Sequence, residues 1–428
     1  MNKRSFRLLV GTMVVGTLLT TSCKKEEVAP IDTTPTTVGV KEVTKTGFIS
    51  KNETWYADSI YFLEGKVVVT EGVTLTIQAG TIIKGKEGAS TLSSALIIAR
   101  GAKIDAQGTA LKPIIFTSSL DNIKTGEFKG TNLGKTDNQK WGGLIILGNA
   151  PVSTATGDIE GNIEGIPAGE NYGKYGGNKI DDNSGVLNYV SIRHGGALIG
   201  EGNEINGLTL GGVGNGTKIE NIEVYATMDD GIECFGGSVN LKNILVYYQG
   251  DDAIDVDQNY SGTVENFMVI QGDGIGTDKG LEVDGPENTT YKEGLFTFKN
   301  GLLKSEGTEG YPADFKDKAQ GTIENVTFDY TTATGKDLKI RANSDAANAC
   351  ATKTDAYTNL INGKLIFKGI NLLGGAKPKV YMNSSATGCA LAGTEQDLAT
   401  AKFITGAGAS ATIADFTWTN ASKKGELK

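Results

Sequence analysis

Three acidic clusters recur at a nearly constant step in the middle of this chain. They read Asp229-Asp230-Gly-Ile-Glu233, Asp251-Asp252-Ala-Ile-Asp255-Val-Asp257 and Asp278-Lys-Gly-Leu-Glu282-Val-Asp284. Carboxylates at this density suit three kinds of chemistry. They can hold a hard cation such as Ca²⁺, which takes about six to eight oxygen ligands. They can work as general acid and general base on either side of a glycosidic bond. They can also form a plain solvated face that aids solubility.

The residues between the acids set their geometry. Ile232 and Cys234 flank Glu233, Ile254 and Val256 flank Asp255, and Leu281 and Val283 flank Glu282. Apolar and polar residues alternate with a period of two, which is strand periodicity. The apolar set is expected to point inward and the acidic set outward. If successive strands stack, Glu233, Asp255 and Glu282 form a column, with Asp257 and Asp284 beside it. These five are the expected Ca²⁺ ligands. Like charges about 5 Å apart repel by roughly 0.8 kcal/mol even at water's dielectric. Such a column needs a cation, raised carboxylate pKa values, or a basic or hydroxyl-rich ligand. The loops match neither an EF-hand nor the nonapeptide Ca²⁺ repeat.

Composition narrows the alternatives. The 428 residues carry a formal net charge of −9. Residues 181–290 alone hold 19 acidic and 4 basic side chains, so the negative charge is concentrated in the repeat. That balance argues against a general nucleic-acid binder. Glycine is 59 residues without a Gly-X-Y period, which excludes collagen and indicates many turns. His194 is the single histidine and no Cys-x-x-Cys occurs, so a zinc or redox site is not expected.

The acidic clusters belong to a longer repeat. Asn221, Asn243, Asn266, Asn300 and Asn325 occupy equivalent places in units that begin near Thr217, Val239, Thr263 and Gly321. An asparagine at the same bend of every unit predicts a stacked amide ladder, and Gly231, Gly236, Gly237 and Gly262 read as turn residues with positive φ. Units of roughly 22 residues with short strands and no amphipathic helix predict one coil each of a parallel β-helix. The β-branched runs from Gly65, Ser94 and Trp141 agree. A sandwich or propeller is the runner-up fold. It lacks tight hairpin signals, and a propeller blade needs about 40 residues. Together these segments, over about Thr54 to Tyr330, and "ADFTWTNAS" near the C-terminus resemble a family of right-handed parallel β-helix lipoproteins of the Bacteroidota. The resemblance implies an all-β, right-handed solenoid and an envelope address, and no particular activity. Handedness also follows from the crossover rule.

The start of the chain carries the address. Lys3, Arg4 and Arg7 precede an apolar stretch from Leu8 to Leu19, then Thr20-Thr21-Ser22-Cys23. The stretch is too short to span a bilayer. It resembles a bacterial lipoprotein signal, in which the cysteine is acylated, here Cys23, with Thr20 departing from the usual Leu. Lys24-Lys25-Glu26-Glu27 resembles the surface-export signal of Bacteroidota lipoproteins. The expected organisation is a signal peptide over 1–22, a tether over 23–50, a β-helix over 51–330, and the solenoid end with a cap over 331–428. The expected location is the outer membrane, lipid-anchored, at the cell surface. Cys350 and Cys389 are expected to pair in an oxidising compartment, and Cys234 to be a buried small hydrophobe.

Three functions fit. The preferred one is a non-catalytic module that binds a glycan, another ligand or an outer-membrane protein complex. Trp55, Tyr56, Trp141, Tyr172, Tyr175, Tyr247, Tyr248 and Tyr260 are its candidate aromatic contacts if they face solvent; the alternative is capping or core packing. The second is a polysaccharide hydrolase or lyase. "QGDDAIDV" looks like the paired-Asp strand of polygalacturonase-type β-helix glycosidases, which implies Asp251, Asp252 and Asp230 as catalytic carboxylates. The departures are the early His194-Gly195 and the reversed Lys339-Ile340-Arg341. A lyase would need Lys279 as base. The third is a structural stalk or adhesin.

Overall fold

One coil shows why the chain winds. The strand Lys218–Thr227 bends sharply in its middle, then a turn leads to the short strand Ile232–Phe235. The bend is Asn221, whose φ is +55°. Asparagine tolerates this left-handed backbone because its short amide can bond locally. Asn243, Asn266, Asn300 and Asn325 bend their strands the same way, with φ between +53° and +59°. The computed structural model describes residues 40–88, 92–200, 203–382, 389, 394–406 and 410–428. The leader, Cys23 and most of the tether lie outside the described residues.

Each coil pairs in parallel with the next. Lys218–Thr227 pairs with Asn240–Gln249, which pairs with Thr263–Gln271, then Phe296–Ser305, then Gly321–Asp329. Either side of the asparagine bend forms one face of the solenoid, and the short strands form a third. Among the described residues twenty-five strands join in this one system, almost all parallel, which excludes the sandwich and the propeller. The architecture is a right-handed parallel β-helix. Ile232, Cys234, Ile254, Val256, Leu281 and Val283 point into its core and are fully buried. The unpaired Cys234 is one of these small core residues.

The asparagines form the expected ladder. Asn221 Nδ2 donates to Asn188 Oδ1 at 2.8 Å, Asn243 to Asn221 at 2.9 Å, Asn266 to Asn243 at 2.8 Å and Asn325 to Asn300 at 3.4 Å. On the next coil Gly369 takes the bend, and a Cβ there would come within 2.4 Å of Asn325 Oδ1. Gly236 and Gly237 have positive φ as expected. Gly231 and Gly262 do not. They are required by close approach instead, since a Cβ on Gly262 would sit 1.9 Å from the Val239 carbonyl. Replacing Asn243 by Ala removes two ladder bonds and leaves a Cβ residue in the left-handed region. We expect a loss of about 3 kcal/mol in urea melts, of which Asn243→Gly recovers about 1 kcal/mol.

The first face shows how this chain usually stacks charge. Glu220, Lys242, Glu265, Lys299, Glu324 and Lys368 are register partners in succession. Signs alternate, and ion pairs form at 3.3 Å (Lys299–Glu265) and 3.0 Å (Lys368–Glu324).

The parallel stack continues past residue 330 through Asp337–Asp345, Leu365–Leu373, Lys377–Met382 and Phe403–Thr405. Short helices occur there among the described residues, including Ala356–Ile361, capped by Asp355, and Thr394–Lys402. Cys350 and Cys389 are disulfide-bonded, with Cα atoms 5.6 Å apart. Residues 410–428 then run back along the flank of the central coils. Phe416 and Trp418 are buried, and Glu223 accepts the backbone N–H groups of Asn420 and Ala421 at 2.8 and 2.9 Å. No helix among the described residues is long and apolar enough to cross a membrane.

Candidate cation and ligand face

The predicted column exists. Thr209, Glu233, Asp255, Glu282, Asp314, Lys339 and Lys379 are successive register partners on the third face. Its surroundings differ from expectation, because the acidic set does not face solvent. Glu233 and Asp255 are only 8% and 9% exposed, Asp252 is 3%, and Asp257, Glu282 and Asp284 are partly buried. Alternation correctly separates core from outside, but a further layer covers the outside. Residues 148–184 cross this face: Tyr175 packs on Phe235 at 5.9 Å and its hydroxyl donates to Gln258 at 3.0 Å. The loop at 285–291 joins them, with Glu287 N donating to Ser153 Oγ.

Burial brings the carboxylates together. Oxygens of Asp230, Glu233 and Asp255 lie within 4.8 Å of one another. So do those of Asp252, Asp255 and Glu282, of Asp251, Asp252 and Asp278, and of Asp229, Asp230 and Asp251. Asp255 Oδ1 is buried without a hydrogen-bond partner, and so is Asp284 Oδ1. Burial first, and neighbouring carboxylates second, push the carboxyls of Asp230, Asp252 and Asp255 well above their ordinary range. Glu233 and Asp284 are raised by the same two causes. Asp229 is pushed up to about 8, Glu287 to about 7 and Asp257 to about 6, again mainly by burial.

One end of the column has its own counterions. Lys279 Nζ lies 2.6 Å from Asp278, 2.8 Å from Glu282 and 3.7 Å from Asp252. Lys316 Nζ lies 2.8 Å from Glu282 and 3.4 Å from Asp284. Burial raises the Glu282 carboxyl, but Lys316 and Lys279 outweigh it and hold it below the usual range. The other end has no such lysine among the pairs described. Of the five expected ligands, Glu233 and Asp255 sit there. Glu282 and Asp284 are served by lysines, and Asp257 Oδ1 accepts the Gln258 N–H.

The expected catalytic set is also placed. Asp230 Oδ1 accepts the Asp252 N–H at 2.9 Å, and Asp252 Oδ1 accepts the Lys279 N–H at 2.6 Å. Both are buried, whereas Asp251 is exposed. An oxygen of Asp251 lies within 4.8 Å of one of Asp230 and of one of Asp252, close enough to share an ion. Lys279 is held protonated against burial by Asp252 and Glu282, so it is not a base at neutral pH. Lys339 and Arg341 do reach this face, but Arg341 grips Asp314 through Nε at 2.9 Å and Nη2 at 2.5 Å. The His194 ring turns away, bonds the Asp137 carbonyl and, through burial, titrates near 4.

Most of the expected aromatic contacts are buried. Trp55, Trp141, Tyr175, Tyr247, Tyr248 and Tyr260 are 0 to 6% exposed; Tyr56 is exposed and Tyr172 half-buried. Tyr225, Tyr247 and Tyr248 stack beneath the returning C-terminal segment. Phe235, Tyr311 and Tyr381 are half-buried aromatics on the third face, and the two tyrosines lie close to lysines. Glu164, Asn206 and Lys316 also complete the site and were not anticipated. Glu164 lies in an irregular segment, where spacing carries no signal.

A family model described as a pectate-lyase like beta helix domain matches residues 47–422. The chain belongs to that family. No curated protein and no solved structure is matched. Within this β-helix domain, the Arg341–Asp314 pair closes the basic end of the face. Asp314 is 1% exposed, and Lys339 reaches it only at 3.9 Å. Arg341→Ala strands a buried carboxylate and is expected to cost about 3 kcal/mol in denaturant melts. Arg341→Lys, which keeps the charge without the two-pronged grip, should cost less.

Proposed function

We propose that this β-helix domain is a non-catalytic binding module of a lipid-anchored outer-membrane protein, displayed at the cell surface. Its buried carboxylates at Asp230, Glu233, Asp252 and Asp255 take Ca²⁺, and the cation-loaded third face binds a glycan. One observation carries the metal reading. Same-sign groups are stacked in register and buried, with Asp255 Oδ1 left without a partner, whereas the first face of the same solenoid alternates sign. A hard cation with oxygen ligands removes that mismatch. The family description supports a carbohydrate ligand. Three further features support the non-catalytic reading: backbone bonds to Asp230 and Asp252, a locked Lys279, and an Arg341 committed to Asp314. The envelope address is supported by the leader residues and by the Cys350–Cys389 bond, which needs an oxidising compartment.

The test is calorimetric titration with Ca²⁺ after EDTA treatment, then a glycan array read with Ca²⁺ and with EDTA. Ca²⁺ heat and Ca²⁺-dependent glycan retention are expected. Shortened or unsaturated products from a bound polysaccharide would establish the hydrolase or lyase instead. Neither metal nor glycan binding would leave the stalk.

A further inference from the structure

The 148–184 segment separates two consecutive coils, between the strands Leu144–Leu147 and Gly185–Arg193. Its hairpin pairs Glu160–Asn162 with Lys174–Gly176. Arg100 Nη1 anchors the base, donating to the Gly176 carbonyl at 2.9 Å and pairing with Glu160. Inside the hairpin, Ile163 and Ile166 pack with Ile205 and direct Glu164 onto the third face. There Asn206 Nδ2 donates to Glu164 Oε1 at 3.1 Å and also to Glu233. That single amide nitrogen therefore brings the Glu164 and Glu233 carboxyl groups side by side. It holds together two carboxyl groups that repel when ionised. Glu233 in turn lies within 4.8 Å of Asp230 and of Asp255, whose Oδ1 is buried without a partner. A cation bound here would satisfy that Asp255 oxygen and offset the repulsion among these carboxyl groups.

We propose that Glu164 is a cation ligand supplied by the inserted hairpin, so that cation binding and docking of residues 148–184 on the third face are one equilibrium. The inference rests on the Ca²⁺ reading above and adds the ligand from outside the repeat. A cation that touches Glu233 and Asp255 alone would not affect the hairpin. One that also touches Glu164 clamps it, by the reciprocity of linked equilibria. Loss of the cation loosens the hairpin and opens the face.

Hydrogen–deuterium exchange on the full chain, in EDTA and in excess Ca²⁺, tests this. Ca²⁺ should slow exchange of the amides at 159–176 about tenfold. In Glu164→Gln, calorimetry should show Ca²⁺ binding weakened about tenfold, and the hairpin amides should no longer respond to it. Glu170→Gln, an exposed position on the same segment, should behave as wild type. Ca²⁺ heat in the wild type without a change in hairpin exchange overturns the inference and leaves the Ca²⁺ site standing. Equal effects of Glu164→Gln and Glu170→Gln also overturn it, because general charge would then be the cause. No Ca²⁺ heat in the wild type overturns both readings.

Discussion

Stripped of metal, the protein should melt at a higher temperature at pH 5 than at pH 8. Asp229, Glu287 and Asp257 titrate near 8, 7 and 6 in the folded chain, and Asp230, Glu233, Asp252, Asp255 and Asp284 are also raised. In the unfolded chain such carboxyls titrate near about 4. Between those limits the folded state binds more protons than the unfolded state, so stability falls as pH rises. For Asp257, Glu287 and Asp229 the penalty is fully present above about pH 8 and fades as pH drops toward 4. Lys279 and Lys316 face the cluster but stay charged throughout, and Lys318 lowers only the Glu287 end. Glu282 runs the other way. Its depressed carboxyl stabilises the fold above about pH 4, and that contribution is lost below it. The melting temperature should therefore pass through a maximum near pH 5, roughly 4 °C above its value at pH 8 for about 3 kcal/mol in a chain of this size. Ca²⁺ at about 100 times its Kd should restore about 2.7 kcal/mol at pH 8 and much less at pH 5, where protons compete. Scanning calorimetry across that range checks both. A flat profile in EDTA, or Ca²⁺ stabilisation that does not depend on pH, would contradict the cluster's electrostatics.

Two neighbours in one column should respond to neutralisation with opposite sign. Asp255→Asn keeps the shape and removes a buried charge whose Oδ1 has no partner. At pH 8 in EDTA it should stabilise the protein by about 1 to 3 kcal/mol, the scale of an unsatisfied buried polar group. It should also abolish the Ca²⁺ shift. Glu282→Gln, one coil further on, removes the partner of Lys279 and Lys316 and should destabilise by about 2 kcal/mol. Paired urea melts with and without Ca²⁺ read both variants. Loss of stability in Asp255→Asn would mean that its charge is compensated by a partner that the column does not provide.

Much of the fold was legible because it repeats. The spacing of Asn221, Asn243 and Asn266 defined the coil, and the alternation around Ile232, Ile254 and Leu281 defined the core side of the third face. Both signals are local, set by a period of two and by one bend residue, so they survive without knowledge of distant contacts. They also place Glu233, Asp255 and Glu282 in one column. For the aromatic residues, sequence alone leaves ligand contact and core packing both open. Tyr247 and Tyr248 alternate within their strand, but the returning segment at 410–428 covers their outward side.

The amino-acid pattern alone therefore determined the winding, the amide ladder and the register of the acidic residues, because each follows from interactions between equivalent positions one coil apart. Tertiary structure decided whether those acids meet water. That depends on the 148–184 and 285–291 segments folding across the face, on Glu164 arriving from one of them, and on Lys316 arriving from the next coil. These contacts join residues with no fixed separation in sequence, and it is they that set the dielectric around the carboxylates, which no periodicity records.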